Sequence, residues 1–123
     1  MSNLLFSFQS LLHENFAKTD LGELYQSIPF ESFAETIPAP AFTKSSLGRK
    51  PWFDVKGAIG LLILKHYTGL SDALLIERIN TDWPMQLFCG IQLKPGQQIK
   101  DINQPSFWRT YIGKHLDIEA LQK

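Results

Sequence analysis

A chain of 123 residues is long enough to bury one core and too short for two ordinary domains. Twelve Lys and Arg balance twelve Asp and Glu, which excludes a surface built wholly to grip a polyanion, and a hydrophobic content of 44% excludes a disordered chain. The single cysteine, Cys89, excludes an internal disulfide framework and suits a reducing compartment.

Neutrality conceals a split. Residues 1–43 hold one lysine against five acids, net −4, whereas residues 44–123 hold eleven cations against seven acids, net +4. That asymmetry favours an anionic partner for the second half. No Lys or Arg precedes the N-terminal apolar residues and no small-residue cleavage site follows them, so no secretory signal is expected. The longest apolar run, Ala58 to Leu64, falls far short of the roughly 20 residues of a membrane span. The resulting expectation is a soluble cytoplasmic protein with no membrane partner.

In chain order, Leu4, Leu5, Phe8, Leu11, Leu12 and Phe16 recur at helical spacing and predict a first helix with one apolar stripe, ending near Asp20. Leu21 to Ile28 and Phe30 to Ile37 read as two short helical turns, each closed by a proline. The stretch "PAPAFTKSSLGRKP" is a connection, and an internal boundary is expected there: an N-terminal helical segment, 1–43, packing on a helical core, 44–123, in one domain overall. Asp54 suits an N-cap for a helix whose apolar, inward set Val55, Ile59, Leu62, Ile63 and Tyr67 keeps the 3.6 period. Leu61 and Leu64 make that helix apolar nearly all round, so it is expected to be central and buried. Gly57 and Gly60 share one of its faces and leave room for a second helix to approach.

Gly69 reads as a C-cap and Ser71 as the next N-cap, with Leu75 and Ile79 inward on the helix that follows. Trp83 to Gly90 is a short turn with proline at its second position, and "LKPGQQIKD" is a loop. Pro105 and Ser106 open a last helix through about His115, with Phe107, Tyr111 and Trp108 inward. No period-2 alternation is sustained, so the class expected is all-α, with a helix-turn-helix-like C-terminal part.

The ordered string "GRKPWFDVKGAIGLLILKHYTGLSD", "IERI", "MQLFCGI" and "INQPSFWRTYIGKHLDIEAL", preceded by "LYQSIPFESFAETI", resembles the N-terminal domain of bacterial insertion-sequence transposases of the DDE type. The resemblance runs from about Leu24 onward. It implies a helical domain ahead of a ribonuclease H-like catalytic domain, binding the terminal inverted repeats of the element and aiding transposase assembly. The catalytic Asp–Asp–Glu set lies downstream in that family, so this chain is expected to be an excised domain or a truncated remnant, not itself an enzyme. Where the family usually has a second arginine two positions after the first on the last helix, Tyr111 stands here, and Thr110 replaces a usual aromatic.

The residues themselves agree about chemistry. Two-metal phosphoryl transfer needs converging carboxylates, whereas Asp54, Asp72, Glu77 and Asp82 fall at caps, first turns and solvated helix faces. His13, His66, His115 and Cys89 have no metal-ligand spacing, and no glycine-rich phosphate loop is present, so neither metal nor cofactor is expected.

Double-stranded DNA is the expected partner. Ser106 and nearby N–H groups suit a phosphate, Arg109 a guanine edge, and Lys114 the backbone. Lys44, Arg49 and Lys50 form a proline-flanked arm suited to a minor groove or to phosphates. The competing reading is a protein-interaction domain whose apolar helices pair copies of itself or dock onto the downstream catalytic domain, with no DNA contact.

Overall fold

Short polar side chains set where four of the described helices begin. The computed structural model describes residues 2–40 and 51–115. They fold as α1 (Ser2–Ala17), α2 (Asp20–Ser27), α3 (Phe30–Glu35), α4 (Val55–Thr68), α5 (Asp72–Thr81), α6 (Trp83–Phe88) and α7 (Gln104–His115), with no strand among the described residues. The class is all-α. Thr19 accepts from Gly22 N at 3.0 Å, Asp54 from Gly57 N at 2.6 Å, Ser71 from Leu74 N at 3.2 Å and Asp82 from Met85 N at 3.1 Å. Each cap satisfies an N–H that its helix cannot, which stabilises the element by about 1 kcal/mol. Gly69, left-handed at φ 69°, ends α4.

Helix α4 is the centre. Ala58, Leu61 and Leu64 are fully buried, and α3, α5, α6 and α7 all pack against it. Gly57 and Gly60 do what their spacing suggests: a Cβ on Gly57 would strike Cys89 O, and one on Gly60 would strike Phe88 O. The C-terminal carbonyls of α6 therefore rest directly on a stripe of α4 that has no side chains. The N-terminal helices join through aromatic rings. Tyr25 stacks on Phe30 with centroids 4.5 Å apart, and both meet Phe88 edge-on at 5.6 and 5.9 Å.

Three expected inward positions are corrected. Tyr67 is 57% exposed, because the deepest face of α4 runs along Ala58, Leu61 and Leu64 rather than along Ile63 and Tyr67. Phe107 is exposed, while Trp108 and Ile112 are buried with Pro105. At about 100° per residue, Pro105, Trp108 and Ile112 share one face and Phe107 points well away from it. On α1 Phe16 is buried but Leu11 is exposed.

The C-terminal part was expected to resemble a helix-turn-helix. Here α7 is reached from α6 through the connection 89–103 and packs on α4 and α5. The tight three-residue turn, Gly69 to Ser71, instead joins α4 to α5, which diverge by 109°. No single helix among the described residues is long and apolar enough to cross a membrane.

Gly57→Ala should lower the urea midpoint. Alanine normally gains up to about 1 kcal/mol over glycine inside a helix, but here its Cβ meets a backbone carbonyl that cannot rotate away, an overpacking cost of about 1–3 kcal/mol. Gly113→Ala, on exposed α7 with nothing within 4 Å of the added carbon, should raise the midpoint.

Candidate nucleic-acid interface

Helix α7 has two distinct faces. Pro105, Trp108 and Ile112 anchor it, and Trp108 Nε1 donates to Gln104 Oε1 at 3.2 Å, so the buried indole keeps its hydrogen bond. The opposite side presents Ser106, Phe107, Thr110 and Lys114, all exposed. The sequence of α7, QPSFWRTYIGKH, contains Arg109, Lys114 and His115 and no acid. Its N-terminus is held by Asp101, whose carboxylate accepts from Asn103 N at 2.9 Å and from Gln104 Nε2 at 3.0 Å. Tyr111 donates to Pro38 O at 2.6 Å and ties the helix to the end of the N-terminal segment.

Arg109 sits on the flank of α7 rather than at its crest. Its Nη2 lies 3.3 Å from Asp72 Oδ2, and Lys65 Nζ lies 3.0 Å from Asp72 Oδ1 while donating to Leu70 O at 2.7 Å. Asp72 occupies the first turn of α5, so the two cations and the helix N-terminus stabilise the same carboxylate. The Lys65 ammonium, reinforced by Arg109 against the opposing effect of burial, holds the Asp72 carboxyl below its ordinary value of 3.8. The structure thus brings Ser106, Arg109 and Lys114 onto one helix. Lys44, Arg49 and Lys50 lie outside the described residues.

The acids read as structural behave so. Asp54 and Asp82 are caps, Asp72 is ion-paired and Glu77 is exposed. Burial pushes the Cys89 thiol far above its usual range, so it is inert as a nucleophile. No group of three or more His, Cys, Asp or Glu among the described residues is placed to hold a metal ion.

Two features escaped the sequence reading. The first is a pair of amide clamps. Asn80 donates to Ile99 O at 2.9 Å and accepts from Ile99 N at 2.8 Å. The buried Gln86 donates to Ile79 O at 2.8 Å and accepts from Leu93 N at 3.1 Å. Together they pin the connection 91–101 to α5 and α6. A glutamine inside the apolar run "MQLFCGI" was the available signal, since a buried amide must find partners.

The second is an apolar groove of about 520 Å³ lined by Phe33, Ile37, Leu62, Ile63, Tyr67 and Ile112, among others. The outward side of α4, Leu62, Ile63 and Tyr67, forms one wall of it.

A family model described as "Transposase domain (DUF772)" matches residues 9–110. No curated protein and no solved structure matches the chain.

The ion cluster predicts a pH dependence. A carboxylate whose folded pKa is depressed contributes stability that is present above its unfolded value and lost as pH falls through the folded one. The stability difference between the parent and Asp72→Asn, of order 1 kcal/mol for a partly exposed cluster, should therefore hold at neutral pH and fade below 3.8. Urea unfolding at pH 7 and at pH 3 measures it.

Proposed function

The chain belongs to this family of transposase domains, which gives it a role in transposition, and from that premise we propose that it is a non-catalytic, DNA-binding region of an insertion-sequence transposase. It binds the terminal inverted repeats of its element and helps assemble the transposase with its downstream catalytic domain. When bound it resides with the nucleoid in the cytoplasm. The observation that carries this reading is α7: a helix anchored through Trp108 on one side, with cations and no acid on its remaining surface.

In this reading Lys114 and Ser106 contact phosphates, and Phe107 offers an apolar surface to thymine methyls. Arg109 uses one nitrogen on Asp72 and keeps further donors for a guanine edge or a phosphate. The arm of Lys44, Arg49 and Lys50 adds phosphate or minor-groove contacts. A chain of zero net charge binds through this local cluster rather than through its overall field.

Titrating a labelled duplex by fluorescence anisotropy across a salt series tests the proposal. Affinity should fall steeply with salt, and Lys114→Ala should reduce the slope by about one while weakening binding evenly across sequences. Arg109→Ala should weaken binding with little loss of thermal stability, because an exposed ion pair contributes only about 0.2–1 kcal/mol. Unchanged affinity in both variants would remove α7 from the interface.

The apolar groove favours a second reading, in which the domain serves as an oligomerisation or interaction surface without touching DNA. Its lining of Ile63, Leu62 and Tyr67 beside Phe33 suits an apolar partner such as a second copy. Ile63→Lys should then shift a concentration-dependent sedimentation coefficient to that of the monomer, and sedimentation identical to the parent's would discard this reading.

A further inference from the structure

Between the segment leading into α4 and the connection 91–101 lies an open cavity of about 910 Å³ that the proposed α7 interface does not use. Its chemistry differs from that of the apolar groove. Trp52 forms one wall, half-buried, with part of its ring packed on the core and part lining the cavity. Gln92, Gln97, Gln98 and Lys100, all exposed, line the other side.

Gln97 Oε1 is taken by Lys94 N at 3.0 Å, which leaves its NH2 free to donate. Gln92 and Gln98 make no side-chain hydrogen bond to the described residues, and none of the ion pairs among those residues involves Lys100. The one acid at the rim, Asp101, is engaged by the N-terminus of α7.

This wall is irregular in backbone but held in place. Ile99, 2% exposed, is gripped at both its N–H and its C=O by Asn80, and Leu93 N is held by the buried Gln86. Gln97 and Gln98 lie between those anchor points, and Gln92 lies between Leu93 and Ile91, whose N–H donates to Gln86 O at 2.9 Å. All three amides are thus presented from a fixed frame, which lowers the ordering cost of binding.

A partly open indole, several amides that both donate and accept, and an adjacent ammonium together suit one ligand class. The indole stacks on a planar base, a glutamine pairs with the edge of an adenine, and the lysine meets the phosphate. The geometry points to this cavity as a site for an unpaired DNA nucleotide, stacked on Trp52 and read by Gln92, Gln97 and Gln98. Its rim residue Asp101 lies three residues before the start of α7 and is hydrogen-bonded to Gln104, so duplex lying on α7 brings a displaced base close to the cavity. The inference rests on the DNA-binding reading above.

The test compares three probes on the full chain at low salt: a fully paired duplex, the same duplex carrying one unpaired adenine, and a short single strand. The unpaired base should tighten binding about tenfold, the effect of one stacked base, and Trp52→Ala should abolish that gain while leaving affinity for the paired duplex unchanged. Because part of Trp52 packs on the core, Gln92→Ala combined with Gln98→Ala, both at the surface, provides a second variant and should also reduce the gain. Equal affinity for the two duplexes, or a gain that survives both variants, would overturn the site.

The outcomes separate this inference from the one beneath it. Binding to the paired duplex with no gain from the bulge defeats only the cavity. Binding to the single strand without binding to the paired duplex supports the cavity and defeats the α7 interface. Absence of binding to all three probes defeats both.

Discussion

The arrangement depends on a contact between backbones. Where α6 ends, its carbonyls at Phe88 and Cys89 rest on Gly57 and Gly60 of α4, closer than any residue with a Cβ would permit. That closeness lets a helix of only six residues, α6, act as a wedge. One side of it meets Phe30 and Tyr25 and brings the N-terminal helices onto the core. On another, Gln86 reaches both Ile79 O and Leu93 N. Moving α6 outward by the width of a methyl group would loosen the aromatic cluster and the loop clamp together.

With α4 covered on the α6 side, other parts of its surface pack on α3, α5 and α7, and Leu62, Ile63 and Tyr67 are left to line the groove. Helix α7 contributes to two different surfaces. Its Ile112 closes the apolar groove while Lys114 and Ser106 face away from it. A contact on the proposed DNA face and a contact in the groove are thus separated by one helix diameter, about 10 Å. The ion cluster at Asp72 links α7 to α5 and to the last turn of α4 through Arg109 and Lys65. Its contribution to stability is small, because Arg109 is half exposed, yet it fixes the side on which the guanidinium lies.

Local signals were legible residue by residue. Asp54 and Ser71 cap helices because a short oxygen-bearing side chain ahead of an apolar run can reach the free N–H groups of the first turn. Gly69 ended α4 because a left-handed residue there costs a glycine little. The ordered motifs from "LYQSIPF" to "FWRTY" carried the family, and the match over residues 9–110 agrees. The apolar character of α4 on all sides announced its central place, but that uniformity also hid which side was deepest, so Tyr67 was placed inward. On α7 the aromatics Phe107, Trp108 and Tyr111 crowd three neighbouring directions, and hydrophobicity alone did not rank them.

What the sequence determined by itself was the all-α class, the helix limits and the stripe of small residues on α4, because caps, turns and 3.6-residue periods act within a few residues of one another. Tertiary structure decided which aromatic on α7 is buried and where Arg109 finds its carboxylate. It also decided that Asn80 and Gln86 grip a loop up to nineteen residues away and that a groove and a polar cavity remain open. Those outcomes depend on which distant backbone groups and side chains come within hydrogen-bonding or packing distance, and that is set only when the helices meet.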